Sequence, residues 1–169
     1  DVIKDRQYTT QQDSEIRRSA QTAMKIITDH LVVLISPILS FTAEEIWQTS
    51  ASLSNKAQSV FLTSFEGFNE FTSDLSPESW SRFLHIKEEV NQSIEDARSA
   101  GHIKGSLDAS IQVILEEDDF KILEKFSSEL HFFFIVSDCQ IVQGKIFSVS
   151  VSKSSAEKCT RCWHRNNSV

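Results

Sequence analysis

The chain has 169 residues, of which 40% are hydrophobic and 24% are charged, and its formal net charge at pH 7 is −7. This is the composition of an ordinary globular protein with one large or two small domains, and no apolar stretch reaches the ~18 residues of a membrane span. The three cysteines, an odd number, argue against a disulfide framework and favour a reduced, cytoplasmic setting.

The negative net charge disfavours nucleic-acid binding, but the charges are unevenly distributed. Residues 1–25 carry five basic against four acidic side chains, residues 26–101 carry four against eleven, and residues 153–169 carry four against one. A bound nucleic acid would therefore have to contact the two ends of the chain. The alternative is that these charges are solvated surface groups without a specific partner.

The first half of the chain predicts helices. Asp13 and Ser14 are candidate N-caps for a long helix that ends at Ser36–Pro37. Its predicted apolar stripe consists of Ile16, Ala20, Ala23, Ile27, Leu31 and Leu34. Thr42 and Glu45 fit a capping box for a shorter helix from about Ala43, which would place Trp47 in the core. Residues 51–75 show no clear helical period.

A second long helix is predicted over 77–100, followed by a change in pattern. Ser76, Pro77 and Glu78 form a strong helix start, and Gly101 supplies the stop. After Gly105 the apolar residues alternate, which predicts strands over 107–115, 131–143 and 145–153, with a short helix after the first strand. The whole pattern predicts a mostly α fold with an α+β part.

No catalytic motif is present in the sequence. It contains no dinucleotide-binding glycine motif, phosphate-binding loop, H-E-x-x-H or G-x-S-x-G. The paired acids stand at predicted helix starts or on polar faces, where dipole pairing and solubility explain them. We therefore predict no catalytic residues.

The segment KCTRCWH is the clearest chemical feature. Cys159 and Cys162 have the C-x-x-C spacing of half a tetrahedral zinc site, for which His164 and Cys139 are candidate further ligands. A redox pair is an alternative, but it would need a helix directly after Cys162, and no helical pattern follows. A chance spacing is the third possibility.

Arg161 and Trp163 lie within and directly after the cysteine pair. Held on a small turn, an arginine and a tryptophan could stack an unpaired base and contact its phosphate. The alternative is that Trp163 packs the turn onto the protein body.

Several segments together resemble the C-terminal part of the bacterial isoleucyl-tRNA synthetases, a family of class I aminoacyl-tRNA synthetases. The segments are, in chain order, DVIKDRQYT, DSEIRRSAQTA, SPILSFTAEEIW, VNQSIEDARSAGHIKGSLDASI and KCTRCWH. Segments similar to SPILSFTAEE also occur in the valine and leucine enzymes, whereas the combination of SLDASI with C-x-R-C-W is more specific. The resemblance extends over essentially the whole chain.

The resemblance implies three regions: residues 1–72 as part of a helical anticodon-binding bundle, 73–153 as an α+β junction domain, and 154–169 as the start of a zinc knuckle. Cys159 and Cys162 are then zinc ligands, and Arg161 and Trp163 approach the anticodon loop. Arg17 and Arg18 are candidate contacts to the tRNA backbone from their charge and placement, and Lys4 and Arg6 are further candidates at the basic N-terminal end.

Cofactors and partners follow from the same resemblance. The partner is the anticodon loop of tRNA(Ile), with no membrane role, and the protein is expected to be a monomer. The HIGH and KMSKS signatures of the family are absent, so ATP and Mg would be used by a catalytic domain outside this sequence, and the chain alone should be inactive. The second C-x-x-C of the family knuckle is also absent, so zinc is expected to be absent or weakly bound here. A helical protein-interaction module without RNA binding is the alternative function.

Overall fold

The computed structural model describes residues 2–51, 57–64 and 75–166. In chain order, the helices and strands are α1 (Val2–Tyr8), α2 (Glu15–Ile35), α3 (Ser40–Ala51), α4 (Pro77–Ser99), β1 (Ala109–Leu115), α5 (Glu117–Glu124), α6 (Leu130–Phe134), β2 (Asp138–Gln143) and β3 (Ser148–Lys153). The helical first half and the small α+β part therefore agree with the sequence pattern. No helix in these ranges is long and apolar enough to span a membrane.

The backbone contacts divide the chain into two compact units. The first consists of Asp1–Thr10 together with Ser73–Val169, and the second consists of Gln11–Thr72. The N-terminal helix α1 thus belongs with the C-terminal half, because it packs against α6 and the residues that follow β3. The sequence predicted three regions, and the first of them, residues 1–72, contains both α1 and the second unit. That division into domains stays a prediction.

The second unit is a pair of helices with a short extension. The Ser14 hydroxyl accepts a hydrogen bond from the backbone N–H of Arg17, which confirms the predicted cap of α2. The Trp47 indole donates to the carbonyl of Ala57 at 2.8 Å, and Trp47 is buried as predicted. The small core of this unit comprises Val32, Ala43, Trp47 and Val60.

Two details of the second unit differ from the sequence prediction. Helix α3 begins at Ser40, because the Ser40 hydroxyl and the Ala43 N–H bond to the turn after α2, so the Thr42 capping box is wrong. The predicted stripe of α2 is also displaced in its second half. Val32 is buried there, whereas Leu31 and Leu34 are about half exposed, because α3 packs against the neighbouring side of the helix.

Helix α4 contributes five buried residues to the core of the first unit, and it begins and ends within one residue of the predicted range 77–100. The Ser76 hydroxyl accepts from the N–H of Ser79 at 3.1 Å, with Pro77 in the first turn. At the other end, Gly101 has φ +77 and the N–H of His102 bonds to the carbonyl of Ala97, which is a glycine-terminated helix end. Its buried face comprises Phe83, Ile86, Val90, Ile94 and Ala97.

The sheet has the strand order β2-β1-β3, with β1 parallel to β2 and antiparallel to β3. Side chains of β1 alternate, so that Ile111, Val113 and Leu115 are buried on the side where α4 and α5 contact the sheet. The predicted strand over 131–143 starts only at Asp138. Residues 130–134 form α6, which ends at Ile135 in the left-handed conformation and turns the chain into β2.

Truncation of Ile86 to alanine should lower the free energy of unfolding by about 2–5 kcal/mol, because Ile86 is 2% exposed in the main core and its loss leaves a cavity. The matched change Ile146→Ala, at a site that is 78% exposed, should stay within about 0.5 kcal/mol. Urea unfolding followed by circular dichroism measures both, and equal losses would contradict this assignment of the core.

Candidate nucleic-acid interface

Residues 157–166 form a tight hairpin that we call the cysteine turn. Lys158 and Arg165 form an antiparallel bridge, and the Cys159 N–H donates to the carbonyl of His164 at 2.9 Å. Inside this pair, the Trp163 N–H donates to the carbonyl of Cys159 at 3.0 Å. Backbone hydrogen bonds therefore close both the base and the tip of the turn.

Cys159 and Cys162 lie on the same tip, and both are free thiols. Backbone N–H groups of Cys162 and Arg161 point at the Cys159 sulfur and lower the pKa of that thiol, whereas burial raises the pKa of Cys162. The tip therefore stabilises a thiolate at Cys159. Two such sulfurs are half of the donor set that tetrahedral zinc requires.

The two candidate further ligands have other surroundings. The His164 Nε2 lies 3.1 Å from Asp5 Oδ2 on α1. Cys139 stands at the start of β2, where burial raises the pKa of its thiol to about 12. Within 2–51, 57–64 and 75–166, no three His, Cys, Asp or Glu side chains are grouped to hold a metal. The zinc site stays a prediction, and the described residues 163–166 do not form the helix that a redox pair would need.

Trp163 is held on the surface of the turn. Its φ is +66, an uncommon value for a residue with a side chain, and the residue remains 62% exposed. The Lys158 Nζ lies 5.4 Å from the centre of the indole ring. The turn thus presents an exposed indole with the Lys158 ammonium over the ring, and Trp163 does not serve as a core anchor.

Arg161 extends from the same tip toward α1. Its Nη2 donates to the carbonyl of Tyr8 at 3.4 Å, and both side chains are exposed. Two further residues, Lys158 and Tyr8, contact Trp163 and Arg161, and neither was a predicted site residue. Lys158 had a local signal, because it is a basic residue directly before the cysteine pair. Tyr8 had none, because its contact joins residues 153 positions apart.

The base of the turn is held to the sheet through Arg165. Its Nε donates to Asp108 Oδ1 at 2.9 Å, its Nη1 donates to the carbonyl of Ala156 at 3.0 Å, and its backbone N–H donates to the Ser137 hydroxyl at 2.7 Å. The hydrogen bond from Arg165 holds the pKa of Asp108 below its usual value, against the opposing effect of burial. The position of the cysteine turn is therefore fixed by protein contacts.

The other four predicted tRNA-binding residues lie outside the cysteine turn, on α1 or in the second unit. Lys4 is exposed on α1, whereas Arg6 on the same helix forms an ion pair with Glu129 and lies over the ring of Phe132. The pairing gives Arg6 a structural role, and its RNA contact stays a prediction. Arg17 and Arg18 belong to the second unit, where Arg18 is exposed and Arg17 is partly buried.

Comparison with known proteins identifies the family. The model of a family described as the anticodon-binding domain of tRNA ligase matches residues 1–114, about two thirds of the chain, so the chain belongs to that family. The similar curated proteins give a more specific result than the family model, because they are named isoleucine–tRNA ligases. The chain is 44% identical over 166 residues to the enzyme of Dichelobacter nodosus and 40% identical over 184 residues to that of Shewanella halifaxensis.

The coverage of these matches is unequal. The alignments include 97% and 100% of this chain but only 18% and 19% of the two relatives. The enzyme of Legionella pneumophila, strain Paris, shows the same relation, with 38% identity over 100% of this chain and 19% of its own length. The chain therefore spans about a fifth of the length of its curated relatives.

Replacing Asp108 with asparagine should lower the free energy of unfolding at pH 7 by about 1.5–3 kcal/mol, because it removes charge from a partly buried hydrogen bond with Arg165. The pKa of Asp108 is lower in the folded state than in the unfolded state, where it is about 3.9. The ionised carboxylate therefore stabilises the fold fully at pH values above about 3.9, and this stabilisation is lost as the pH falls through the folded-state pKa. The difference between Asp108→Asn and the unaltered protein should therefore shrink in acid.

Urea titrations at pH 7 and at successively lower pH measure this difference. Glu124→Gln at the exposed end of α5 is the control and should change little at any pH. A difference for Asp108→Asn that is the same at every pH would contradict the pairing.

Proposed function

We propose that this chain is the anticodon-loop-binding part of an isoleucine–tRNA ligase that attaches isoleucine to tRNA(Ile) with ATP. Membership of the anticodon-binding family and the names of the relatives support the proposal. The sequence contains no catalytic motif, so the proposed role of this part is to bind RNA while the reaction takes place elsewhere in the ligase. The expected setting is the cytoplasm, with the ligase as a monomer.

The observation that carries the proposal is the exposed indole of Trp163 on a turn closed by backbone hydrogen bonds. An anticodon is single-stranded, so its bases can leave the stack and lie on an aromatic side chain. Lys158 and Arg161 stand on the same turn and supply positive charge for the adjoining phosphates. A rigid turn loses little conformational entropy when RNA binds.

The charge of the whole chain is consistent with a local RNA contact. The net charge of −7 provides no general attraction for RNA, whereas residues 153–169 carry four basic side chains against one acidic one. RNA would therefore approach at the cysteine turn. In this proposal Lys4, Arg17 and Arg18 contact the tRNA backbone outside the anticodon, and Arg6 contributes by fixing α1.

Zinc, where bound, would have a structural role in this proposal. Cys159 and Cys162 would hold the ion as thiolates, with the remaining donors supplied from outside the described residues. A bound zinc ion would tie down the tip of the turn. We propose that zinc is absent from this chain or weakly bound, because two thiolates supply only half of its ligands, and that bound zinc would add rigidity near Trp163. ATP and Mg belong to the reaction of the complete ligase.

A protein-interaction role is the second candidate. Ile38 and Phe41 in the second unit are 83% and 94% exposed, which is unusual for large apolar side chains and favours contact with protein. Such a contact would depend little on salt. Binding to RNA falls steeply as the salt concentration rises, because counterions are released from phosphates.

Replacing Trp163 with alanine should weaken binding of a tRNA(Ile) anticodon stem-loop about 5- to 150-fold, which corresponds to about 1–3 kcal/mol of stacking per base. Trp163→Phe should keep most of the affinity, because it retains an aromatic face. Arg161→Gln should reduce the slope of log affinity against log salt by about one unit, as expected for the loss of one phosphate contact.

Arg98→Gln is the matched control, because Arg98 is exposed on α4 and paired with Glu95. It should leave both the affinity and the salt slope unchanged. Fluorescence anisotropy with a labelled stem-loop measures each variant. An affinity of Trp163→Ala equal to that of the unaltered chain would exclude this turn as the RNA contact.

A further inference from the structure

An open polar cavity of about 510 Å³ adjoins the cysteine turn in the first unit. Its volume is within the range of small-molecule binding sites. Six of its lining residues are serines, and the ionisable lining residues are His131, Asp138, Cys139, Lys153 and Arg165. A cavity so rich in hydroxyl groups suits a ligand that both donates and accepts hydrogen bonds.

The register of the sheet explains why these side chains meet. Ser110 on the central strand is paired with Asp138 of β2 on one side and with Ser152 of β3 on the other. The Ser110 hydroxyl donates to Asp138 Oδ2 at 3.0 Å, and the Ser152 hydroxyl donates to the carbonyl of Ser110. Two strand spacings separate Asp138 from Ser152, so acceptor and hydroxyl lie roughly 10 Å apart across the floor.

Two charged residues of opposite sign line the cavity. Asp138 provides an exposed carboxylate at the start of β2, and Lys153 provides an exposed ammonium group at the end of β3. Burial lowers the pKa of His131 in the wall, so its ring is neutral at pH 7 and can accept or donate a hydrogen bond. A ligand that has both an anionic group and a hydroxyl group matches this separation of charge.

The cavity shares a wall with the cysteine turn. Arg165 and Asn166 line the cavity, and Arg165 is only two residues after Trp163. At an extended length of at most ~3.6 Å per residue, the backbones of these two positions are within about 7 Å of each other. A nucleotide next to a base on Trp163 would therefore reach the cavity.

We propose that this cavity holds one ribose–phosphate unit of the bound RNA, with the phosphate beside Lys153 and the ribose 2′-hydroxyl donating to Asp138. The inference rests on the proposed function and adds to it the way in which the chain distinguishes RNA from DNA. The 2′-hydroxyl is the group by which a protein makes that distinction. The serine hydroxyls and His131 complete the hydrogen bonds of the sugar and the phosphate.

The test compares two hairpins of one sequence, an RNA and its deoxyuridine-containing DNA counterpart, each titrated into the full chain. The unaltered chain should bind the RNA more tightly, and Asp138→Ala should reduce the ratio of the two affinities about tenfold or more, as expected for loss of a charge-assisted hydrogen bond. Asp138→Asn keeps one acceptor oxygen and should give an intermediate ratio. Asp138 is exposed, so thermal melting should show both variants folded.

Two controls separate this effect from general electrostatics. Glu124→Ala also removes one exposed negative charge but lies at the end of α5, and it should change both affinities without changing their ratio. Lys153→Gln should weaken both hairpins and reduce the salt slope by about one unit. Lys145→Gln, in the loop before β3 and thus at the other end of that strand, should leave the slope unchanged.

The outcomes distinguish this inference from the proposed function. If Trp163→Ala weakens RNA binding while Asp138→Ala leaves the RNA-to-DNA ratio unchanged, the cavity proposal is wrong and the proposed function stands. If the unaltered chain binds neither hairpin, both are wrong. A lowered ratio for Asp138→Ala, together with a lowered salt slope for Lys153→Gln, is the result that we expect.

Discussion

The hydrogen bonds of Arg165 connect the functional surface to the fold. A single residue joins the cysteine turn to Asp108, Ser137 and Ala156, which lie before β1, before β2 and after β3. Hydrogen bonds to charged groups are stronger than neutral ones, and they stabilise more where water is excluded. These contacts fix the base of the turn that carries Trp163 and Arg161. Both the stacking surface and the adjoining cavity depend on this connection.

Helix α1 supports the same turn from another direction. Asp5 contacts His164, the carbonyl of Tyr8 accepts from Arg161, and Arg6 pairs with Glu129 beside α6. These contacts place α1 and the basic C-terminal segment 153–169 in one unit, although most of the sequence lies between them. Specific placement of a few cations matters more here than the overall charge.

The sequence predicted those features that depend on local interactions. Ser14 and Ser76 act as helix caps, Pro37 marks the end of α2, and the alternation after Gly105 identifies β1. The errors of the sequence prediction arose where tertiary contacts determine the local structure. The run HFFF was assigned to a strand, but it forms α6, which packs Phe133 against Phe83 and Trp80. Arg161 and Trp163 were identifiable because they adjoin the cysteines, whereas the contacts of Tyr8 and Asp108 span the chain and have no local signature.

The central claim is that RNA binds at the cysteine turn, and the indole N–H signals of the three tryptophans test it most directly. In a ¹⁵N-labelled sample, titration with the anticodon stem-loop should shift or broaden the Trp163 signal, because its ring is exposed on the turn. The Trp47 signal should stay in place, because that indole is buried and bonded to Ala57. A Trp163 signal that does not move at a saturating RNA concentration would contradict the account.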